Sequence, residues 1–299
     1  MPFHVIAGQF FATNYSPDGD TIRFKPDDVV ELGLIAGVPP RINARGHISL
    51  RLEGIDALET HFEGRHQPLV LANAARDQLL AQVGITNVQW DAQQGSVVSS
   101  SDGAPGYIVA RETDKFGRVI AFAFAGAPEA ASGSQIFFKP ELLDRSANAR
   151  LIKDGLAYPT FYSGLFADLR AHLATLVTTA RGNRLGVHAV DTTATLFRVQ
   201  NIGALTDEHV ILPKLFRRAS AYVAGAGTIV GFKAMLELNR EPVLDLTDNN
   251  FTHFDTFVEE VGDSIRMTKL PEQLVFDPMP ARPGGEFTAL VSGEMTVEI

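Results

Sequence analysis

The N-terminal part of the chain alternates apolar and polar positions over short segments that turn residues separate. Residues 10–15 and 21–25 are apolar and β-prone, and the Ser-Pro-Asp-Gly-Asp sequence of residues 16–20 lies between them. Residues 48–55 alternate apolar and polar side chains, as a strand with one buried face does. These patterns predict three strands in this part of the chain.

Helical and strand patterns then follow one another along the chain. Residues 68–83 carry apolar side chains at helical spacing, with a proline near the start. Strand signals return at residues 87–90, and residues 93–106, rich in glycine and serine, are predicted as a loop. The remaining predictions are a hairpin of residues 107–111 and 118–124 and helices at residues 141–153 and 166–180. This order predicts a mostly antiparallel OB-fold barrel, with a helix between its third and fourth strands.

The segment that follows residue 191 also has the composition of a folded region. Helices are predicted at residues 212–224 and 251–261, and extended segments at residues 275–278 and 287–291. Its many aliphatic and aromatic residues argue against disorder. The predicted fold class is a β-barrel with helices (α+β). An OB-fold domain spans residues 1–191, and a mixed α/β C-terminal extension of unknown function spans residues 192–299.

Composition and charge narrow the classes of function. The absence of cysteine excludes disulfides and thiolate metal sites. The chain has no run of about 18 apolar residues, so no membrane span is predicted. The N-terminus lacks the features of a signal peptide, so a cytoplasmic location is expected. The net charge of −9 is unusual for a protein that binds nucleic acid. However, residues 191–299 carry −7 of this charge and residues 1–190 only −2.

Four short segments combine acidic, basic and glycine residues. They are residues 18–21 (Asp-Gly-Asp-Thr), 51–60 (Arg-Leu-Glu-Gly-Ile-Asp-Ala-Leu-Glu-Thr), 114–118 (Asp-Lys-Phe-Gly-Arg) and 151–157 (Leu-Ile-Lys-Asp-Gly-Leu-Ala). Taken singly, the first three are typical of a turn, a capping box and a hairpin tip. Taken together, they suit phosphodiester cleavage, because arginines stabilise the charged transition state and carboxylates bind hard cations.

The order and spacing of these segments resemble the staphylococcal-nuclease-like (thermonuclease) family over about residues 8–190. The resemblance implies a calcium-dependent phosphodiesterase, with Mg²⁺ as the other possible ion. Its expected substrates are DNA and RNA, which it would cleave as an endonuclease or exonuclease. Little sequence specificity and products with a 3′-phosphate are further expectations from the resemblance.

The resemblance also assigns roles to single residues. The implied catalytic residues are the phosphate-binding Arg51 and Arg118 and the general base Glu59. The implied metal ligands are Asp20, Asp56 and the backbone carbonyl of Ala57. The implied substrate-binding residues are Lys115, Phe161 and Tyr162. Two departures from the family pattern are Ala57-Leu58 in place of Thr-Pro and Phe116 in place of Tyr.

Other hypotheses stay open on the sequence. Some domains of the family have lost their catalytic residues, so a non-catalytic module that binds nucleic acid or protein is the alternative function. A further hypothesis gives the C-terminal extension a role in binding a protein partner or in oligomerisation. The basic residues Lys214, Arg217 and Arg218 are interpreted as a solvated helix face rather than a nucleic-acid contact.

The extension is also predicted to be separable, so that a chain cut near Asp191 would fold alone. The alternative is that the extension packs on the barrel through apolar residues, namely Phe216, Tyr222, Phe232 and Phe254.

Overall fold

The computed structural model describes residues 2–276. Its strands are β1 Phe3–Phe11, β2 Thr21–Pro26, β3 Ile48–Leu52, β4 Ile55–Ala57, β5 Gln89–Trp90, β6 Val97–Ser99, β7 Ala104–Thr113, β8 Val119–Ala125, β9 Gln135–Ile136, β10 Ala157–Pro159, β11 Phe161–Tyr162, β12 Phe197–Arg198, β13 Pro242–Asp245, β14 Asn250–His253, β15 Val258–Val261, β16 Ser264–Met267 and β17 Leu274–Phe276. Its α-helices are α1 Leu69–Gln82, α2 Pro140–Leu143, α3 Ala147–Lys153, α4 Ala167–Gly182, α5 Pro213–Ala226 and α6 Phe232–Asn239.

Five strands close into a β-barrel. β1 pairs antiparallel with β2 and β7, β2 with β3, and β7 with β8. The barrel closes where β3 runs parallel to β8. Because α1 lies between the third and fourth barrel strands in chain order, the arrangement is consistent with an OB-fold. The predicted fold class, a β-barrel with helices, is confirmed.

The alternation of side chains along β3 shows how the sequence specifies the barrel. Ile48, Leu50 and Leu52 are fully or almost fully buried in the core, whereas Ser49 and Arg51 are only half-buried. A strand directs successive side chains to opposite faces, so this pattern fixes the register and places Arg51 outside the core.

Several predicted boundaries differ from those observed. Residues 141–153 form two helices, α2 and α3, rather than one. The predicted helix at residues 251–261 is wrong, because this segment contains β14, a short 3-10 helix at Phe254–Phe257 and β15. The loop predicted at residues 93–106 includes β6 and the start of β7. The extended segment predicted at residues 287–291 lies outside the described residues.

The described part of the C-terminal extension, residues 192–276, packs against the N-terminal part of the chain. Phe216, Phe232 and Phe254 are fully or almost fully buried in one hydrophobic cluster that also contains Leu58 and Tyr158 from the N-terminal part. In addition, β17 pairs in parallel with β11, so one small sheet contains strands from both parts. The extension therefore buries apolar surface against the N-terminal part, as the alternative hypothesis predicts.

Within residues 2–276, no helix combines the length and apolar character that crossing a membrane requires.

Candidate active site

The turn before β2 and the two strands β3 and β4 bring three of the predicted residues together. Thr21 and Arg51 are register partners, so Asp20 lies beside Arg51. Arg51 donates to Asp20 through Nη1 and to Asp56 Oδ1 through Nη2, the latter over 2.6 Å. Asp20 and Asp56 are both buried, and a buried carboxylate is costly unless it is paired with a cation and accepts hydrogen bonds. Arg51 therefore connects the first two sequence motifs.

Ala57 contributes through its backbone and its small side chain. Its N–H donates to Asp20 Oδ2 over 2.9 Å, which fixes the second carboxylate oxygen of Asp20. A Cβ at Gly19 would lie 2.4 Å from the Ala57 Cβ, so the turn approaches β4 this closely only with glycine at position 19. The structure thus brings Asp20, Asp56 and Ala57 together, and the contact of Ala57 with Asp20 is made by its N–H.

A second arginine in this cluster comes from the C-terminal extension. Arg217 of α5 donates to both oxygens of Asp56, over 2.8 Å from Nη2 and 3.1 Å from Nη1. Its Nη1 also donates to Glu59 Oε1. Arginine forms such two-pronged pairs with carboxylates because its planar guanidinium matches their geometry.

The interpretation of the basic residues of α5 as a solvated helix face is wrong. Lys214 is buried and ion-paired with Glu241 over 2.6 Å, and Arg218 pairs with the same carboxylate. The spacing of Lys214, Arg217 and Arg218 puts them on one side of a helix, which was the available signal. Their partners lie far away in sequence, so the pattern did not show what this face contacts.

The charges in the cluster shift the pKa of its acids in different directions. Burial raises the pKa of Asp56, but Arg217 and Arg51 outweigh it and lower the pKa to about 2. Burial raises the pKa of Glu59, and the pull of Arg217 is not enough to reverse that shift. Burial and the nearby charges of Asp20 and Glu59 hold the pKa of Asp18 well above its usual range. Arg217 and Arg51 therefore keep Asp56 ionised in spite of its burial.

The donor atoms of this cluster suit a hard cation, but their arrangement does not fit one. Carboxylate oxygens are the ligands that Ca²⁺ and Mg²⁺ prefer. Here both oxygens of Asp20 and both of Asp56 accept N–H groups from Arg51, Arg217 or Ala57. In the part of the chain that the structure describes, no group of three or more His, Cys, Asp or Glu side chains is arranged to hold a metal ion.

Arg118 lies at the tip of the hairpin between β7 and β8. Gly117 adopts a φ of +77°, which this turn requires and which glycine tolerates. Arg118 Nε donates to Asp114 Oδ2 over 2.6 Å, and the Arg118 side chain stays about one third exposed. Lys115 lies over the exposed Phe116 ring at 5.1 Å from its centroid. Lys115, the predicted substrate-binding residue of this hairpin, is therefore exposed.

One cavity of about 890 Å³ extends from this hairpin to the extension, and Arg51 is the charged residue of the arginine–carboxylate cluster that lines it. Residues from all three regions line it, among them Arg51, Arg118, Tyr162, Lys214, Arg218 and Phe254. Five basic and four acidic side chains line the cavity, so recognition of a phosphate depends on where single arginines lie rather than on overall charge. Phe161 is fully buried in the core and offers no surface to a substrate, whereas its neighbour Tyr162 lines the cavity.

Comparison with known proteins adds no assignment to this geometry. No protein-family model matches the chain. A search of curated proteins also finds no match. The fold and the site define a closed five-stranded barrel with an arginine–carboxylate cluster at its edge.

Proposed function

We propose that this protein hydrolyses phosphodiester bonds of DNA or RNA. The observation that carries the proposal is the shared cavity, which Arg51 and Arg118 line from separate elements of the barrel. Two guanidinium groups that reach one space can hold the equatorial oxygens of a phosphodiester as it becomes pentacoordinate. The aromatic side chain of Tyr162, which is only half-buried, lines the same cavity and offers a face on which a base can stack.

The residues divide the proposed chemistry among them. Arg51 is oriented by Asp20 and Asp56, so its guanidinium is fixed before a phosphate arrives. Glu59 would take a proton from the attacking water as the water oxygen bonds to phosphorus and the P–O bond to the leaving oxygen breaks, and the leaving oxygen would take a proton from solvent. Arg118 approaches from the hairpin and would bind the phosphate from a second side. Cleavage with a 3′-phosphate product, as the resemblance implies, requires release of the 5′-oxygen.

The volume of the cavity bears on the form of the substrate. A space of about 890 Å³ can take a few nucleotides of a single strand, but a duplex would have to open first. We therefore expect single-stranded or frayed nucleic acid to be cleaved faster than a stable duplex.

A non-catalytic nucleic-acid-binding module is the second candidate, and one contact favours it. Glu59, the expected base, is ion-paired with Arg217, which holds its carboxylate in place. A site in which Arg217 never releases Glu59 would bind phosphates without activating water.

The test is cleavage of single-stranded DNA, duplex DNA and RNA under three conditions, namely added Ca²⁺, added Mg²⁺ and excess chelator. Hydrolysis in any of these conditions supports the proposal, and the ion dependence is measured at the same time. Saturable binding of single strands with no product under any condition would establish the binding module instead. If the protein neither binds nor cleaves any of these nucleic acids, both functions are rejected.

A further inference from the structure

The cation that the arginine–carboxylate cluster holds at its centre is a side chain of the protein. Arg217 contacts both oxygens of Asp56 and one oxygen of Glu59. Asp56 is one of the two carboxylates to which the resemblance assigns a metal ion. A metal ion bound to Asp56 would therefore need the oxygens that the guanidinium of Arg217 already uses.

Helix α5 fixes Arg217 in this position. Leu215 and Phe216, just before it, and Ala219 and Ser220, just after it, are all fully buried. On either side of Arg217, Lys214 and Arg218 are both paired with Glu241. Withdrawal of the helix would expose this apolar surface and break these ion pairs together, so the helix is not a lid that opens easily.

The charges of the cluster also oppose the binding of a metal ion. Asp20, Asp56 and Glu59 carry three formal negative charges, and the guanidinium groups of Arg51 and Arg217 are paired with them. A divalent ion at the same oxygens would lie within a few ångströms of two guanidinium groups, and this repulsion would oppose its binding. The ion and the side chain thus compete for one place.

We propose that Arg217 is the resident cation of this site and that it excludes Ca²⁺ from Asp56 and Glu59, the two carboxylates it contacts. It acts as a positioning residue, since it holds Asp56 and Glu59 in fixed orientations without a direct place at the phosphate. This assignment goes beyond the proposed function and does not depend on it, because it concerns what occupies the carboxylates. If the protein is a nuclease, the consequence is cleavage that continues in excess chelator.

Calcium binding measures this directly, without any substrate. The proteins are the wild type, Arg217→Gln and the matched control Arg218→Gln, which removes a neighbouring guanidinium from the same helix. Calorimetric titration with Ca²⁺ and the shift of Tm on addition of Ca²⁺ are the two readouts. We expect no calcium heat and no shift of Tm for the wild type and for Arg218→Gln. Arg217→Gln should gain a binding site whose Tm shift a chelator reverses.

Two results would overturn the proposal. One is calcium binding by the wild type with an affinity equal to that of Arg217→Gln. The other is a folded Arg217→Gln protein, judged by circular dichroism, that gains no calcium binding. If Arg217→Gln does not fold, Arg217→Met takes its place, because methionine keeps a long flexible apolar side chain and removes the positive charge. Arg217→Met should then bind Ca²⁺, and a complete lack of binding in a folded Arg217→Met protein would count against the proposal.

These outcomes are separate from those of the nuclease test. A protein that cleaves nothing but gains calcium binding on loss of Arg217 supports the resident cation and rejects the nuclease. A protein that cleaves only when its wild-type site has bound Ca²⁺ supports the nuclease and rejects the resident cation.

Discussion

The carboxylate of Asp20 accepts a hydrogen bond of 2.9 Å from the backbone N–H of Ala57. This bond joins the turn before β2 to the strand β4, and the other oxygen of Asp20 pairs with Arg51. Asp20 is therefore a structural connection between the two motifs as well as a member of the candidate site. Replacement of Asp20 is therefore expected to lower the stability of the fold as well as any activity of the site.

We expect Asp20→Ala to lower the free energy of unfolding by about 3 kcal/mol, because Arg51 loses one of its two carboxylate partners and the Ala57 N–H loses its acceptor. Asp20→Asn should cost less, since its amide oxygen can still accept from Ala57. Urea unfolding of both variants measures the difference, with the exposed Glu237→Ala as control. Equal losses in the two variants would show that the hydrogen bond to Ala57 contributes little.

Arg51→Ala and Arg118→Ala are expected to slow hydrolysis far more than the loss of an exposed arginine. Each removes a donor to the transition state, which corresponds to roughly 2.7–4 kcal/mol or about 10²–10³ in rate. Lysine at either position should restore only part of the rate, because it lacks the planar fork. The measurement is kcat/KM on a single-stranded substrate, with the exposed Arg145→Ala as the matched control. Near-normal rates in both alanine variants would remove these residues from the mechanism.

Glu59→Gln separates chemistry from binding. If Glu59 takes the proton from water, the variant should lose turnover and keep its affinity for a single-stranded oligonucleotide. The same change at the exposed Glu129 should alter neither quantity. A variant that loses affinity and turnover in the same proportion would make Glu59 only a partner of Arg217.

The sequence predicts the grouping of Arg51 with Asp20 and Asp56 because the patterns that indicate it lie in short segments of the chain. The alternation along β3 places Arg51 outside the core, and the resemblance pairs it with Asp20 and Asp56, which the structure brings together. Arg217 could not be found in this way. Its contacts with Glu59 and Asp56 bridge 158 and 161 residues of sequence, and a local pattern carries no information on partners at such separations.

The wrong prediction at residues 251–261 has a related cause. The apolar residues of this segment recur at helical spacing, at positions 251, 254, 257, 258 and 261. In the structure β14 pairs with β13, and β15 pairs with β16. Hydrogen bonding to these neighbouring strands decides the outcome, and propensity within the segment does not.

Glu53 should make stability depend on pH. Burial first, and then the nearby charge of Glu112, raise the pKa of Glu53 to about 7, against the opposing pull of Arg111 and Arg51. A carboxyl group with a raised pKa in the folded state costs nothing at low pH, where it is protonated in both states. The cost grows as pH rises from its ordinary pKa of about 4.3 and is complete above about 7. Stability should therefore fall over this range.

Glu53→Gln tests this directly, because glutamine keeps the shape and removes the titration. The variant should gain up to about 3 kcal/mol over the wild type at pH 8 and almost nothing at pH 4. Urea unfolding at a series of pH values gives both curves. A gain that is the same at every pH would show that Glu53 is not the titrating group.

A chain that ends at Asp191 tests whether the N-terminal part folds without the C-terminal extension. Removal of the residues that follow exposes Leu58 and Tyr158, both now buried in the cluster shared with α5. It also takes away β17, the strand that pairs with β11. Uncovered apolar surface of this kind weakens a fold and promotes aggregation. We therefore expect the shortened chain to bind a hydrophobic dye and to unfold without a sharp transition, whereas the full chain unfolds cooperatively. A cooperative urea transition for residues 1–191 would instead show that the barrel folds without the extension. If the shortened chain also gives calcium heat and the full chain gives none, the carboxylates become accessible to Ca²⁺ once Arg217 is removed.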